Sequence, residues 1–250
     1  MTLSTRLKAE PLIDAIFECR LTTKTNILLS GVFPGILFSS LKDEEKLLER
    51  LPSYDIPEFI KQNEINVKYL PLIKIKLSDY NILIGDNSVS ISCIPPYKGW
   101  ENFKSKIESI LSILIDNSLI DTIERISLKY VNLIETENLT NHVDLVNISL
   151  SIGDEKLTNQ PYQIRMDSKK NGVINILQII SNAIHKDKNN VKKGLVIDID
   201  SIKIIENQSI DSLKSNLKND LDEIHNINKS IFLNCLKNET IKGYLGAEYE

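Results

Sequence analysis

Leu72-Ile73-Lys74-Ile75-Lys76-Leu77 and Ser88-Val89-Ser90-Ile91-Ser92-Cys93 decide the fold of this chain. In the first, Ile73, Ile75 and Leu77 project to one side, and Lys74 and Lys76 to the other. In the second, Val89, Ile91 and Cys93 oppose Ser88, Ser90 and Ser92. A period of two is that of a β-strand. One apolar face and one polar face mark antiparallel sheet covered on a single side, whereas parallel strands buried on both faces read as continuous apolar runs. Between the two segments, Gly85-Asp86-Asn87 separates Ile82-Leu83-Ile84 from Val89, which is turn chemistry.

Working outward, the same alternation appears where Val146, Ile148, Leu150 and Ile152 oppose Asn147, Ser149 and Ser151. It appears again where Tyr162, Ile164 and Met166 oppose Gln163, Arg165 and Asp167. Lys169-Lys170-Asn171-Gly172 then leads to Val173, with Asn-Gly supplying the positive φ of a tight hairpin. Upstream, Ala9-Glu10-Pro11 is a proline-punctuated entry into a strand running to Arg20.

Two long amphipathic helices stand out. Glu101 to Asn117 sets Phe103, Ile107, Ile110, Leu111 and Leu114 on one stripe. Ser209 to Leu236 does the same with Ile210, Leu213, Leu217, Leu221, Ile224, Ile231 and Phe232, with Ser209 as N-cap and a kink or division expected near Asn226. A weaker helical pattern covers Lys42 to Leu51 and stops at Pro52, and Asn26 to Leu41 predicts helix broken near Pro34. The expected fold is α+β, mainly antiparallel sheet of eight or nine strands. It reads as two similar halves, 1–137 and 138–250, forming one compact unit, each half covered by a long amphipathic helix; one continuous curved sheet is the alternative. The seam falls near Glu135-Thr136-Glu137-Asn138.

Composition excludes several classes. A hydrophobic fraction of 42% and a charged fraction of 26% are those of a globular chain, and a net charge of −4 provides no overall basic field for nucleic acid or acidic membranes. Heavy use of Ile, Asn and Lys reads as an AT-rich genome. Cys19, Cys93 and Cys235 are scattered and odd in number, which fits free thiols in a reducing compartment. With neither an apolar leader nor a spanning segment, the expected location is cytoplasmic.

The chemistry-bearing residues are sparse. Asp198 and Asp200 lie two apart on a strand, a spacing that can hold a divalent ion, but a phase shift near Ser201 places them on a solvated face beside a bulge. His142, His185 and His225 are isolated from one another and from cysteine, so neither a metal site nor a cofactor is expected. No nucleophile elbow, P-loop or dinucleotide fingerprint occurs. For nucleic acid, the candidates are Lys186, Lys188, Lys192 and Lys193, with Lys169-Lys170 nearby in sequence, but no aromatic residues interleave them. Trp100, the only tryptophan, opens the first long helix directly after a proline turn and reads as a staple fixing its entry angle. A pocket between sheet and helix would draw on Glu18, Trp100, Arg125, Tyr130 and Asn132. Arg125 and Asn132 are seven apart on one strand and face opposite ways unless a bulge intervenes.

Pro11-Leu12-Ile13-Asp14-Ala15-Ile16-Phe17-Glu18, Tyr97-Lys98-Gly99-Trp100, Ile123 to Asn132 and Leu221-Asp222-Glu223-Ile224-His225 occur in that order. Together they resemble a sporadically distributed bacterial and archaeal family of proteins of roughly 250 residues whose function is not established. The family usually has Glu where Asp14 stands, and Arg-Tyr-Ile-Asn where Lys129-Tyr130-Val131-Asn132 stand. The resemblance implies no activity; its patchy distribution implies defence-associated gene neighbourhoods. The leading expectation is a non-enzymatic binding or accessory protein that recognises a protein partner or neighbouring-gene product, in a defence or toxin–antitoxin-like module. The alternatives are a nucleic-acid or nucleotide-binding module, and a small-ligand binder or enzyme.

Overall fold

The computed structural model describes residues 5–6, 9–24, 27–41, 45–136, 141–158, 160–187, 190–205, 210–246 and 248–249. In chain order the strands are β1 (Thr5–Arg6), β2 (Leu12–Thr23), β3 (Leu47–Arg50), β4 (Ile73–Lys76), β5 (Tyr80–Ile84), β6 (Ser88–Cys93), β7 (Ile120–Glu135), β8 (Ser151–Ile152), β9 (Glu155–Lys156), β10 (Gln163–Lys170), β11 (Val173–Asp187), β12 (Asn190–Ile204) and β13 (Glu248–Tyr249). The α-helices are α1 (Leu29–Ser40), α2 (Glu58–Asn63), α3 (Ile65–Lys68), α4 (Trp100–Asp116) and α5 (Ile210–Cys235). Nine strands form one large antiparallel sheet in the hydrogen-bonding order β10-β11-β12-β7-β2-β6-β5-β4-β3. The fold is α+β. Among the described residues no helix is long and apolar enough to cross a membrane.

The chain clusters into two compact units. The first is Asp14–Leu128 with Ile202–Ile224; the second is Met1–Ile13, Lys129–Ser201 and His225–Glu250. Their boundaries fall inside β2, β7, β12 and α5, and the seam expected at 135–138 ends on Glu137 and Asn138, which lie outside the described residues.

In the first unit, alternation fixes the core. Ala15, Phe17, Cys19 and Leu21 of β2 are buried, as are Ile73 and Ile75 of β4, Ile82 and Ile84 of β5, and Val89 and Ile91 of β6. The register joins Phe17 to Ile91, Ile91 to Ile82, Ile82 to Ile75 and Ile75 to Leu48, one apolar row across five strands. Helix α4 buries Phe103, Ile107, Ile110, Leu111 and Leu114. Phe103 stacks on Tyr80 with ring centroids 6.2 Å apart, and Trp100 and Tyr97 meet it edge-on. Two local expectations are corrected here. Residues 47–50 form an edge strand and not a helix, because pairing with β4, continued by Leu51 N–H donating to Leu72 O at 2.9 Å, outweighs a weak local periodicity. Helix α1 runs through Pro34 unbroken, since Phe33, Pro34 and Leu37 are all buried on its packed side.

In the second unit, β10 and β11 form a hairpin closing at Lys170↔Val173, and Asn171 (φ 50°) and Gly172 (φ 81°) take the left-handed conformations expected of Asn-Gly. Leu145, Val146, Leu177, Ile179, Leu195, Ile197, Ile199, Phe232, Leu233 and Leu236 build its core. The strand expected over 146–152 is absent except for Ser151–Ile152. Val146 instead bridges Leu236, and Asn147 is bound to the end of α5, its N–H donating to Cys235 O and its side-chain amide to Asn234 O and Leu236 O. The alternation over 162–167 does form a strand, but as an edge whose Met166 is exposed. Helix α5 is continuous through Asn226; Ser209 and the Leu213 side chain lie outside the described residues.

Two glycine substitutions should act with opposite signs. A Cβ at Gly194 would lie 2.0 Å from the Ile134 carbonyl oxygen, because β12 passes close to another backbone there. Gly194→Ala should lower stability by about 3 kcal/mol in urea unfolding. Gly35→Ala, in the interior of α1 with no atom within 4 Å of the new methyl, should raise it by about 0.5–1 kcal/mol.

Candidate binding site

Strand β2 carries Ala15, Phe17, Cys19 and Leu21 inward, so Glu18 and Arg20 point the other way, where a chain of charges begins. Arg20 Nε and Arg125 Nη2 both donate to Glu18 Oε1, each at 2.7 Å. The Arg20 guanidinium lies over the Tyr69 ring, 4.2 Å from its centroid. Tyr69 donates its hydroxyl proton to Glu124 Oε2 at 2.5 Å, and Lys68 reaches Glu124 Oε1 at 3.3 Å. Glu124 and Arg125 are consecutive yet join one network, so the two-residue alternation of β7 is interrupted between them. Burial works against the Lys68 ammonium, but bonds with Tyr69 and Glu124 outweigh it and hold its pKa above that of an ordinary lysine. Burial pushes the Cys19 thiol up, helped by the negative charge of Glu18 and Glu124.

Two hollows lie in this unit. One, of about 190 Å³, is lined by Lys61, Val67, Lys68, Leu70, Leu72 and Asn87, among others. The other, of about 600 Å³, is a polar trough between Asp79, Tyr80 and Lys98 and the face of α4 bearing Asn102, Ser105 and Lys106.

Trp100 has a structural partner. Its indole N–H donates to Asp222 Oδ1 at 2.8 Å, and Lys104 binds both oxygens of the same carboxylate at 2.8 and 3.1 Å. This clasp ties the start of α4 to α5. Lys104 is almost fully buried; burial alone would depress its ammonium, but Asp222 and Glu101 hold its pKa above ordinary.

Tyr130 and Asn132 belong to the second unit. Tyr130 shares a hydrogen bond with His225 Nδ1 at 3.2 Å and meets the ring edge-on, and Asn132 is buried. Of the five residues expected to line one pocket, the structure joins Glu18 with Arg125, whereas Trp100 and Tyr130 take other partners. Asp198 forms an ion pair with Lys129 at 2.9 Å. His142 is buried: its Nδ1 accepts the Asn182 N–H at 3.0 Å, which leaves the ring proton on Nε2, facing Thr136 Oγ1 at 2.8 Å.

The basic residues do not converge. Lys192 is salt-bridged to Glu135, Lys186 and Lys193 are exposed beside it in sequence, and Lys188 lies outside the described residues. Lys169 and Lys170 sit at the other end of β11, roughly 45 Å away along the strand. Burial pushes the Cys93 thiol up to about 12, reinforced by Asp14 and Asp79, and the Cys235 thiol up to about 11. Among the described residues, no three His, Cys, Asp or Glu side chains are grouped to hold a metal ion.

What the sequence did not signal is how many apolar side chains are exposed between residues 28 and 70. Of fifteen large apolar side chains exposed among the described residues, eight fall there: Leu28, Val32, Phe38, Leu47, Leu48, Phe59, Ile65 and Leu70. The one available signal was Leu28 to Leu41, a stretch free of any charged residue. No protein-family model matches the chain, and no curated protein matches it.

Asp222→Ala should destabilise the protein by about 2 kcal/mol, since it strips a buried ammonium of its main partner while Glu101 remains. Trp100 is the only tryptophan, so its emission should shift in the folded variant and report the broken clasp directly. Burial also lowers the His142 pKa from 6.5, so below pH 6.5 the unfolded chain binds a proton that the native state refuses. The urea midpoint should therefore fall as pH drops through 6.5, and His142→Gln should flatten that part of the profile relative to the parent.

Proposed function

We propose that this chain is a non-enzymatic binding protein that recognises a protein partner through the surface of α1, β3, α2 and α3. The carrying observation is the concentration of exposed apolar side chains in residues 28–70, led by Ile65 at 75% and Phe59 at 67% exposure. Single exposed apolar residues are ordinary, and eight within one stretch of the chain support an interaction site there, with Leu47 and Leu48 on opposite faces of β3. Helix α1 supports the reading, with Leu29, Phe33 and Leu37 buried while Val32 and Phe38 remain outside. The internal pairing of the charged groups supports a scaffold role: Glu18 is engaged by two arginines, and Asp222 by Trp100 and Lys104. An accessory role in a defence module follows from the resemblance alone and is open to the same experiment.

That experiment is co-expression with the product of the adjacent gene, followed by capture on a tag carried by this chain. The Phe59→Glu, Ile65→Glu double variant should melt within a degree or two of the parent, because both side chains are exposed. It should capture the neighbour at least about tenfold less well. Unaltered capture by the variant, or no capture by the parent, would overturn the reading.

A further inference from the structure

We infer that β3 is an acceptor edge for strand addition, and that the segment it accepts is a stretch of a partner protein in which an apolar residue and a basic residue stand side by side. This rests on the protein-partner reading above and specifies the segment recognised.

Among the described residues, β3 has β4 as its sole neighbour in the sheet. Leu77 N–H donates to Tyr80 O at 2.8 Å, so Ile73, Ile75 and Leu77 turn their main-chain groups toward β5 and Lys74 and Lys76 are left to pair with β3, as the Leu51 N–H to Leu72 O bond at 2.9 Å also indicates. In an antiparallel ladder hydrogen-bonded pairs alternate, so Leu47 and Glu49 turn their main-chain groups toward β4, while Leu48 and Arg50 turn theirs outward. The outward groups are what an added strand would bond.

The side chains specify its sequence. The row Phe17–Ile91–Ile82–Ile75 is fully buried, and its next member, Leu48, is 43% exposed because the row stops there. An apolar residue beside Leu48 would continue the row. On the opposite face, Glu49 is paired with Lys74 at 3.3 Å and its side chain is 41% exposed on the open side. A cation beside Glu49 would complete a Lys–Glu–cation ladder, and an anion there would be repelled. Positions beside Leu48 and Glu49 are adjacent in the incoming strand, so an apolar and a basic residue must stand side by side there, flanked by Leu47 on the Glu49 face and Arg50 on the Leu48 face.

A second copy of this chain does not meet that specification. Antiparallel pairing of two β3 strands with both covered faces on one side sets residues of equal parity opposite one another. Every such register opposes like charges: Glu49 on Glu49, Arg50 on Arg50, Lys46 on Arg50, or Glu45 on Glu49. The far edge of the sheet, β10, is guarded along its length by Arg165, Asp167, Lys169 and Lys170. The guard at β3 is therefore selective, set against self-pairing and open to a foreign strand.

The test uses the full chain and three fluorescent decapeptides: alternating Val and Lys, alternating Val and Glu, and Val and Lys with a central Pro. The Val–Lys peptide should bind about tenfold more tightly than the Val–Glu peptide, and the proline peptide should not bind. Hydrogen exchange should slow at the Leu48 and Arg50 amides on binding. Glu49→Lys, a change at an exposed position, should invert the charge preference. Equal binding of the two charge types, an unchanged order in Glu49→Lys, or protection elsewhere would overturn the proposal. So would a concentration-dependent dimer abolished by Leu48→Lys, which would assign the edge to a second copy. If the neighbouring-gene product is lost with Phe59→Glu, Ile65→Glu but still captured by Glu49→Lys without protecting β3, strand addition falls and the partner reading stands.

Discussion

The apolar row that runs Phe17–Ile91–Ile82–Ile75–Leu48 is the constraint on which the first unit depends. A slip of one residue in any of its pairings would carry Lys74, Ser90 or Glu18 into the core and expel the isoleucines, so the covered face enforces the register. The helices follow from the same row. Phe103 can stack on Tyr80 only because β5 presents Tyr80, Ile82 and Ile84 on one side. Each fully buried aliphatic side chain contributes about 1.5–3 kcal/mol, so the row and the α4 stripe outweigh any local preference of the segments that pack on them.

Charge is handled by mutual pairing and not by exposure. Lys104 is nearly excluded from water and is kept cationic by Asp222 and Glu101; Lys203 is bound by Asp220 and Glu223, three residues apart on α5. A buried charge left alone would cost several kcal/mol, so these contacts help fix where the part of α5 up to Ile224 rests. The second unit uses neutral groups to the same end, with Ser201 donating to Asn175 Oδ1 and Asn228 donating to Ile199 O and Ser201 Oγ in a buried cluster.

Where two strands could satisfy one another locally, the sequence was legible: 72–77, 82–84, 88–93 and the Asn171-Gly172 hairpin all formed as their patterns require. The failures share a cause. Val146 to Ile152 alternates as cleanly as Ser88 to Cys93, but the end of α5 takes its hydrogen bonds, and no local pattern encodes a distant helix terminus. Leu47 to Arg50 falls in a weak helical pattern, and only its pairing with β4 makes it a strand. Glu18 and Arg125 read in the sequence as polar groups a pocket would draw on, but their pairing was not legible, since 107 residues separate them and only the sheet order places β2 beside β7. The pairing of Trp100 with Asp222 was hidden for the same reason, with 122 residues between them. The exposed apolar surface left no periodic signature at all, because its members come from two short helices, an edge strand and one face of a charge-free helix.

An edge open to a foreign strand is a hazard in a sheet protein, and its persistence here has a physical explanation. β3 is only four residues long, and Pro52 just beyond it prevents the ladder from extending. Brevity limits how much any chance encounter gains, since few main-chain bonds form. The like-charge registers then remove the commonest encounter, with another copy of the same chain. What remains favourable is a strand whose side chains also match Leu48 and Glu49, so selectivity comes from side chains because the backbone row is too short to bind indiscriminately. A four-residue edge cannot hold a partner by itself, so binding there needs apolar contacts beyond the ladder, and exposed Phe59 and Ile65 are candidates for them.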